Sequence, residues 1–522
     1  MLDGQTTCFL SANQLHNLFC KREVKPTDVI SLIINRAKDY TQYNSFSHLF
    51  SRAYVSKLAE EAEERYERGS PKSQLDGIPI AIKDCFPVEG AVCSLGISAY
   101  ASNVSGRSCA LVKRLTEMGA IIVGMTTSDV GCGGGLGGNR SFGPVLNPRN
   151  TRLMSGGSSC GSACAVALGL CCIALGTDTS GSIRFPAAFT GVYGLKPTFG
   201  LISRAGSQLV TWTFDTVGIF SRSLKDIEIT LDILRDSSCQ QDEIRDVTDI
   251  DCDAVLYRSV LQNHQSTVPY QANFCVPPSL TTNIEKKIGK MFDVFVDTLI
   301  STGRFNRVFG DPATCYPNWI KYFLSRNIVE AESSVLHDSH LSPSFSQLCA
   351  LDETKISKRQ EATIFLFDDD KSQEKLAKQY QIQRFLEFSV DEWMVQNNCD
   401  VLVLPSSEVL PYPIHFFPSS GHLNESAEHK VFKDFFLKGG FFGRATFFNL
   451  TRQPCLCIPL GNKECWWSLQ LVARKGNEDI LFSISKYLPA DCLLAFGQDQ
   501  IDLVDDKVAR EVYAERLFGH SS

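Results

Sequence analysis

Hydrophobic residues in the first part of the chain recur every three or four positions. This spacing predicts amphipathic helices within residues 11–66. In residues 78–82 the apolar side chains alternate along the chain instead, which predicts a β-strand that Lys83 closes. A helix near Ala110–Met118 and a strand at Ala120–Gly124 follow, and together they predict a first α/β pair.

The same alternation of helix and strand patterns continues beyond a glycine-rich centre at 155–194. The later predicted elements are a strand and turn at Asp215–Arg222, a helix behind a Ser223-x-x-Asp226 capping box, a strand near Asn273–Val276, helices at 282–301 and 372–397, strands at 399–405 and 467–473, and a helix at 478–488. Helices that alternate with strands predict an α/β fold with a mixed β-sheet core covered by helices on both faces.

The periodic pattern of hydrophobic residues is weakest between the glycine-rich centre and the last third of the chain. We therefore predict one large domain spanning 1–522, with an N-terminal helical region at 1–70 and a catalytic core at 71–225. A variable region at 236–370 and a C-terminal part at 371–522 belong to the same α/β domain.

Composition and charge indicate which classes of protein the chain does not resemble. The 522 residues are 43% hydrophobic and 21% charged, and the net charge of -7 is opposite to the basic footprint of a nucleic-acid-binding protein. The longest apolar run, Ala163–Leu175, is shorter than the roughly 20 residues of a membrane helix. The N-terminus lacks a signal-peptide pattern, so the twenty cysteines are predicted to be reduced core thiols in a cytoplasmic protein, with an organelle lumen left open.

The candidate chemistry lies in two glycine-rich turns that contain Ser158 and Ser182, with about one helix and one strand between them. Glycine lets a backbone turn sharply and approach another group closely. In T-D-T-S-G-S the backbone N–H groups of Thr179, Ser180, Gly181 and Ser182 are predicted to converge on an oxyanion, which is worth about 3–4 kcal/mol per donor. This setting is typical of a serine hydrolase whose nucleophile is Ser182.

The base that such a nucleophile needs is predicted to be a lysine. No histidine lies between His48 and His264, although a distant histidine can complete a triad in space. Lys83 closes a strand beside the apolar residues Ile82 and Phe86. A lysine pKa of about 10.4 must fall to about 7–8 by desolvation before the amine can act as a base, and apolar flanks favour that.

Two other features of this region are predicted to be structural. We interpret Asp178 and Arg184 as a pair that holds the turn around Ser182, rather than as reacting groups. The loop at 131–138 contains a formal G-x-G-x-x-G, yet no acidic residue that could bind a ribose lies between Val130 and Thr177. A nucleotide cofactor is therefore not expected there, and the loop is predicted to line a pocket.

Taken together, these motifs resemble those of the amidase signature family. G-G-S-S-C-G-S-A resembles the family's G-G-S-S-G-G-S-A, and T-D-T-S-G-S-I-R-F-P-A-A-F-T-G-V-Y-G-L-K-P-T resembles its D-T-G-G-S-I-R…K-P-T segment. L-D-G-I-P-I-A-I-K-D is similar to its G-I-P-x-x-x-K-D. The intervals also match, with 75 residues from Lys83 to Ser158 and 24 from Ser158 to Ser182.

The resemblance implies the amidase signature fold and a Ser-Ser-Lys triad. Ser182 would be the nucleophile, Lys83 the base, and Ser158 the bridging serine, in cis peptide geometry, that relays the proton. The implied reaction attacks an amide carbonyl, forms an acyl-enzyme on Ser182, releases ammonia or an amine, and ends in hydrolysis. Cys132 falls at the family's substrate-contact position. The resemblance implies no metal and no organic cofactor.

Three cysteine and serine positions depart from the family pattern. Cys160 and Ser180 stand where glycine is commonest, and Cys85 follows K-D where the family often has Asn. The side chains of Cys160 and Ser180 are both small, so activity is expected to survive. Cys160 lies two residues from Ser158, which predicts a site that is sensitive to thiol reagents.

Three functions are compatible with the resemblance. The first is an amidase that acts on a small-molecule amide, alone or as a homodimer. The second is the amidase subunit of a tRNA-dependent glutamine amidotransferase, which would have protein partners; it ranks lower because Y-D-G-x-R-Y-G is missing from 310–370. The third is an inactive amidase-like scaffold, which the intact triad disfavours. The phenylalanine-rich 435–448 segment is interpreted as core, with an acyl pocket for fatty acid amides or a membrane contact left open.

Overall fold

The structure is a computed structural model. The described residues are 4–133, 135–139, 141–208, 210–211, 213–235, 271–282, 284–315, 373–411, 413, 441–503 and 517. Most of the predicted variable region at 236–370 lies outside the described residues, as does the first part of the phenylalanine-rich 435–448 segment.

The described residues contain α-helices from one end of the chain to the other. These are α1 (Gly4–Thr7), α2 (Ala12–Cys20), α3 (Pro26–Asp39), α4 (Arg52–Glu67), α5 (Ala110–Glu117), α6 (Cys160–Ala167), α7 (Arg184–Thr190), α8 (Leu224–Arg235), α9 (Pro278–Thr281), α10 (Lys286–Ser301), α11 (Gln373–Gln396), α12 (Phe441–Leu450) and α13 (Glu478–Ser485). Within these residues, no helix combines the length and the apolar character that crossing a bilayer requires.

The strands are short and mostly buried. They are β1 (Phe46–Leu49), β2 (Pro79–Lys83), β3 (Ile121–Thr126), β4 (Gly138–Asn139), β5 (Gly143–Pro144), β6 (Ile173–Asp178), β7 (Tyr193–Lys196), β8 (Thr216–Ser221), β9 (Ala272–Cys275), β10 (Phe305–Val308), β11 (Val401–Pro405), β12 (Cys455–Gly461) and β13 (Trp466–Val472).

Eleven of these strands form one mixed sheet in the order β1-β3-β2-β6-β8-β7-β12-β13-β11-β9-β10, while β4 and β5 form a separate two-stranded ribbon. The β3-β2-β6 pairs and the β11-β9-β10 pairs are parallel, and the other pairs are antiparallel. Helices pack on both faces of the sheet. The predicted single-domain α/β fold is confirmed.

The parallel trio β3-β2-β6 determines where the candidate residues meet. Lys83 is the last residue of β2 and pairs in register with Thr126 of β3, while Asp178 ends β6 on the other side of β2. Each of these strands is buried along its length, so its two faces are both packed. The carboxyl ends of parallel strands meet at one edge of the sheet, which is where such folds bind ligands.

One predicted helix start is wrong in detail. The carboxylate of Asp226 does not close a capping box with Ser223, whose N–H donates to Ser221 Oγ. It accepts instead from the N–H groups of Ala12 and Asn13, at 2.8 and 3.0 Å. The start of α2 lies over α8, so the buried carboxylate satisfies the free N–H groups of a distant helix. A capping box is present at Ser11, at the start of α2.

We expect Asp226→Ala to destabilise the protein by about 1–3 kcal/mol, because it leaves two buried N–H groups at the start of α2 without acceptors. Urea unfolding measures the change. The matched control is Glu228→Ala on the same helix, whose carboxylate makes only an exposed i,i+3 pair with Lys225, and we expect it to change stability by less than about 0.5 kcal/mol. Equal effects of the two substitutions would contradict the long-range cap.

Candidate active site

The amine of Lys83 lies in the interior of the protein, at the end of β2. It donates to Ser158 Oγ at 2.8 Å and to Thr177 Oγ1 at 2.7 Å. Thr177 is reached because β6 runs parallel beside β2. Lys83 makes no ion pair with any residue that the structure describes, so its hydrogen-bond partners are hydroxyl groups, which can both accept and donate.

The turn that contains Ser158 is built against the turn that contains Ser182. The Gly157–Ser158 peptide bond is cis. A side chain on Gly156 would collide with the backbone of Phe185, and one on Gly176 would collide with both Ser159 and Ile183. The glycines therefore let the segment around Ser158, the end of β6 and the segment after Ser182 come into direct contact. The turns that contain the two serines therefore meet at one edge of the sheet.

The turn around Ser182 depends on Gly181, whose φ of +119° is unfavourable for any other residue. A Cβ there would also lie 2.2 Å from the ring of Phe185. The N–H of Gly181 donates to Asp178 Oδ1 at 2.8 Å, so it does not join the predicted oxyanion donors in this conformation. The N–H groups of Thr179, Ser180 and Ser182 make no hydrogen bond to a described residue and remain candidates.

Ser182 itself is buried, with 5% of its surface exposed. Its hydroxyl makes no hydrogen bond to any described residue, so the structure holds the Lys83–Ser158 link without a formed Ser158–Ser182 link. Hydrogen bonds between catalytic groups are often long in unliganded sites and shorten when substrate binds.

Asp178 and Arg184 form a fully buried ion pair beside this turn. Two parallel bonds join the guanidinium to the carboxylate, at 3.0 and 2.8 Å. The same carboxylate accepts from the N–H of Ile183 and from the side chain of Asn449. Burial acts to raise the pKa of Asp178, but the charge and hydrogen bonds of Arg184, with smaller help from Lys196 and Asn449, hold that pKa well below its usual range.

The pair also ties the turn to the C-terminal part of the chain. Arg184 donates to the carbonyl of Ala445 and to the Asn449 side chain, both at 2.6 Å and both on α12. Asn449 in turn donates to the Asp178 carbonyl at 3.0 Å. The contacts agree with the structural interpretation of Asp178 and Arg184. Asn449 begins the N-L-T-R-Q-P segment of the sequence, but no role for it was predicted.

Thr179 belongs to a second hydrogen-bonded group. Its hydroxyl donates to Asp215 Oδ1 at 2.6 Å, and the Asp215 carboxylate also accepts from the N–H groups of Val210 and Thr211. Asp215 therefore anchors the segment before β8 over one side of the turn. This residue was not predicted, because only the antiparallel β6-β8 pairing brings it to Thr179.

The cysteines near the site differ in acidity. Cys132 lies on a turn with a φ of +54° and is buried; a hydrogen bond with Cys85 lowers the pKa of the Cys132 thiol, and the charge of Lys83 adds to this. Cys160 is fully buried, with its thiol 3.4 Å from the Thr127 carbonyl, and burial raises its pKa well above the ordinary value. The predicted reactivity of Cys160 toward thiol reagents therefore lacks the exposed thiolate that it requires.

Asp129 is a further ionisable group that was not predicted. Its N–H donates to the Ser158 carbonyl at 3.2 Å, and a Cβ on Gly157 would lie 2.1 Å from its carboxylate. Its Oδ1 atom is buried with no partner among the described residues. Burial raises the pKa of Asp129 to about 6, and the N–H of Gly137 and the charge of Lys83 offset only part of this effect. The carboxylate thus lies close to Gly157, the residue before Ser158.

Within the described residues, no group of three or more His, Cys, Asp or Glu side chains is placed to hold a metal ion. Leu136 of the glycine-rich loop that was predicted to line a pocket belongs to the same buried apolar cluster as Phe185.

The order and spacing of these motifs match a known family of proteins. A family model described as Amidase matches residues 28–482 of the chain. The chain belongs to the amidase signature family. The resemblance found in the sequence motifs is confirmed, and the match includes both serine turns and Lys83.

Relatives of this amidase-family chain include proteins named as subunits of a glutamyl-tRNA(Gln) amidotransferase. The chain is 37% identical over 250 residues to such a subunit from Persephonella marina, covering 46% of this chain and 50% of that protein. It is 34% identical over 232 residues to the mitochondrial subunit of the same name from Xenopus tropicalis, covering 41% and 44%. The matched part thus spans about half the length of these relatives.

Solved structures share the fold over nearly the whole chain. One titled "Crystal structure of amidase" superposes with a TM-score of 0.70 at 22% identity, covering 92% of this chain and 100% of that chain. A "Fatty acid amide hydrolase" superposes with a TM-score of 0.71 at 18% identity, covering 94% and 86%. At these identities the likeness establishes the amidase signature fold.

We expect Asp178→Ala to cost about 3–5 kcal/mol of unfolding free energy, because it leaves the Arg184 guanidinium buried without its counter-charge. Urea unfolding at pH 7 measures the loss. Since the pKa of Asp178 is lowered in the folded state, the stabilisation is present above the ordinary pKa of 3.8 and is lost as the pH falls toward the lowered value. Lys225→Ala, which breaks an exposed pair, is the control, and a similar loss in both variants would contradict this account.

Asp129→Asn tests how much the ionised, buried carboxylate of Asp129 lowers the free energy of unfolding. Because the pKa of Asp129 is raised from 3.8 to about 6, the wild-type protein should lose stability as the pH rises through that interval, and the loss should be complete above it. The substitution removes this loss, so we expect the variant to gain up to about 3 kcal/mol relative to wild type between pH 4 and pH 8. Asp293→Asn, on the exposed side of α10, is the control. A pH-independent difference would refute the prediction.

Proposed function

We propose that this protein is a serine amidase that cleaves the C–N bond of a small-molecule carboxylic amide, with Ser182, Ser158 and Lys83 as its catalytic triad. The observation that supports this most directly is the contact of the buried Lys83 amine with Ser158 Oγ at 2.8 Å, with no carboxylate paired to that amine among the described residues. The amine thus contacts the hydroxyl through which the proposed proton transfer passes.

The proposed reaction proceeds in two halves. Ser182 Oγ attacks the carbonyl carbon while its proton passes to Ser158, which gives its own proton to Lys83. The free N–H groups of Thr179, Ser180 and Ser182 supply the candidate donors for the oxyanion. The tetrahedral intermediate then releases ammonia or an amine, which takes a proton back from Lys83 through Ser158. Water hydrolyses the acyl-enzyme along the same proton route, restoring Ser182.

A second candidate is the amidase subunit of a glutamyl-tRNA(Gln) amidotransferase, favoured by the sequence relatives that carry this enzyme's name. In that role the same triad would release ammonia from glutamine for a partner enzyme, and activity would depend on partner subunits. The missing Y-D-G-x-R-Y-G segment in 310–370 disfavours it. Comparing the purified chain on glutamine and on simple amides separates the two, because the first candidate needs no partner.

We expect Lys83→Ala, Ser158→Ala and Ser182→Ala each to lower kcat for amide hydrolysis by at least about a thousandfold, because triad residues act as a unit. Ammonia or amine release measures the rate. Trapping with hydroxylamine distinguishes the roles, since wild-type protein should yield a hydroxamate from an acyl-enzyme and Ser182→Ala should yield none. Circular dichroism verifies that each variant remains folded.

Matched substitutions at positions outside the site complete the experiment. Ser389→Ala on α11 and Lys225→Ala on α8 remove the same groups from the surface and should leave the rate unchanged. Full activity in Ser182→Ala would refute the assignment of the nucleophile, and full activity in Lys83→Ala would refute the lysine base.

A further inference from the structure

A second buried ion pair, formed by Glu408 and Arg444, lies next to the contacts between Arg184 and α12. Glu408 follows β11 and Arg444 lies on α12, with 5% and 7% of their surfaces exposed. The Nε of Arg444 is 3.6 Å from Oε1 of Glu408, which is too long for a hydrogen bond. The pair therefore gains charge attraction without the two parallel bonds that Asp178 and Arg184 make.

The pair also has unused hydrogen-bonding capacity. Oε2 of Glu408 and Nη1 of Arg444 are both buried, and neither has a partner among the described residues. Burial raises the pKa of Glu408 to about 7, because the charge of Arg444 offsets only part of the loss of solvent. Buried polar atoms are nearly always satisfied in folded proteins, so two unsatisfied atoms in one pair require an explanation.

The position of the pair links it to the candidate active site. Ala445, next to Arg444, accepts a hydrogen bond from Arg184 and belongs to the same buried apolar cluster as Phe185. Val409, next to Glu408, packs on the same apolar cluster, and the charge of Arg184 acts on Glu408. Because a Cβ on Gly181 would meet the Phe185 ring, the apolar cluster that contains Phe185 and Val409 extends from the Ser182 turn to the neighbour of Glu408.

The charge of the pair indicates which chemistry it would bind. Above the pKa of Glu408 the pair is one cation beside one anion and has no net charge, so an ionic group would be attracted by one member and repelled by the other. The free Oε2 accepts and the free Nη1 donates, which matches an uncharged group that carries an N–H and a C=O side by side. A carboxamide or peptide group has this arrangement, while an alkyl chain would leave both atoms unsatisfied.

We propose that Glu408 and Arg444 form a specificity subsite that binds a second, uncharged amide group of the substrate, distinct from the amide that is cleaved. The inference rests on the proposed amidase function and deepens it, since it excludes a plain fatty acid amide as the preferred substrate. Hydrogen bonds to buried charged partners typically contribute a factor of about ten or more to binding. The subsite therefore contributes to selection among amides, while the triad carries out the cleavage.

The test compares two series of primary amides of equal length. One series carries a second, secondary amide in the chain, and its distance from the scissile amide is increased one methylene at a time; the other has only methylenes. For wild-type protein we expect kcat/KM to favour the best two-amide substrate by about tenfold or more. In Glu408→Gln and Arg444→Gln this preference ratio should fall by about tenfold. Analogues that end in a carboxylate or an ammonium should not surpass the two-amide substrate.

Arg452→Gln is the matched control, because Arg452 also pairs with a carboxylate, that of Glu387 at 3.4 Å, and has a buried Nε without a partner among the described residues. Its preference ratio should equal that of wild type. An unchanged ratio in both Glu408→Gln and Arg444→Gln would overturn the subsite. If neither variant folds, the substrate preference of the wild-type protein tests the subsite by itself. A ratio of kcat/KM values near one between the two-amide and the methylene-only substrates, or a preference for a charged end, overturns the proposal. Cleavage of plain amides without any preference defeats this inference alone, whereas cleavage of no amide defeats the proposed function as well.

Discussion

The buried amine of Lys83 is the constraint on which the centre of this protein depends. A lysine that loses its water must find partners in the interior, and here those partners are the hydroxyls of Ser158 and Thr177. The three parallel strands β3, β2 and β6 make this possible, because the end of β2 lies between the ends of its neighbours. Any change in the register of β2 against β6 would move the amine away from Thr177 and leave it unsatisfied.

The turn around Ser182 is held by the carboxylate of Asp178, which takes no part in the proposed reaction. Asp178 receives two backbone N–H groups of the turn and both arms of Arg184, and Arg184 and Asn449 extend the network to α12. A single buried charge thus joins residues more than 260 positions apart in the chain. The contrast with Glu408 and Arg444 is informative, since a carboxylate and a guanidinium are fully hydrogen-bonded in one pair and incompletely bonded in the other.

Periodicity predicted the long helices and the central strands well. The predicted strand before Lys83 corresponds to β2, the predicted strand at Ala120–Gly124 to β3, and the predicted helix at 372–397 to α11. Short elements with no pattern of their own were not predicted, among them β1, β7 and β12. A strand of four to seven residues is stabilised by its neighbours in the sheet more than by local preference, so its signal is absent from the local sequence. The Asp226 cap was misassigned for the same reason, since its partners come from the N-terminus.

By itself the sequence determined the family and the α/β fold class, because the serine, glycine and lysine motifs and their intervals can be read directly along the chain. Only the tertiary structure decided which polar groups meet. The contact of Thr177 with the Lys83 amine, that of Asp129 with Gly157, and the pairing of Glu408 with Arg444 all depend on contacts between distant segments. The physical reason is burial: whether an ionisable group is stabilised, strained or left unsatisfied is determined by what the fold packs around it.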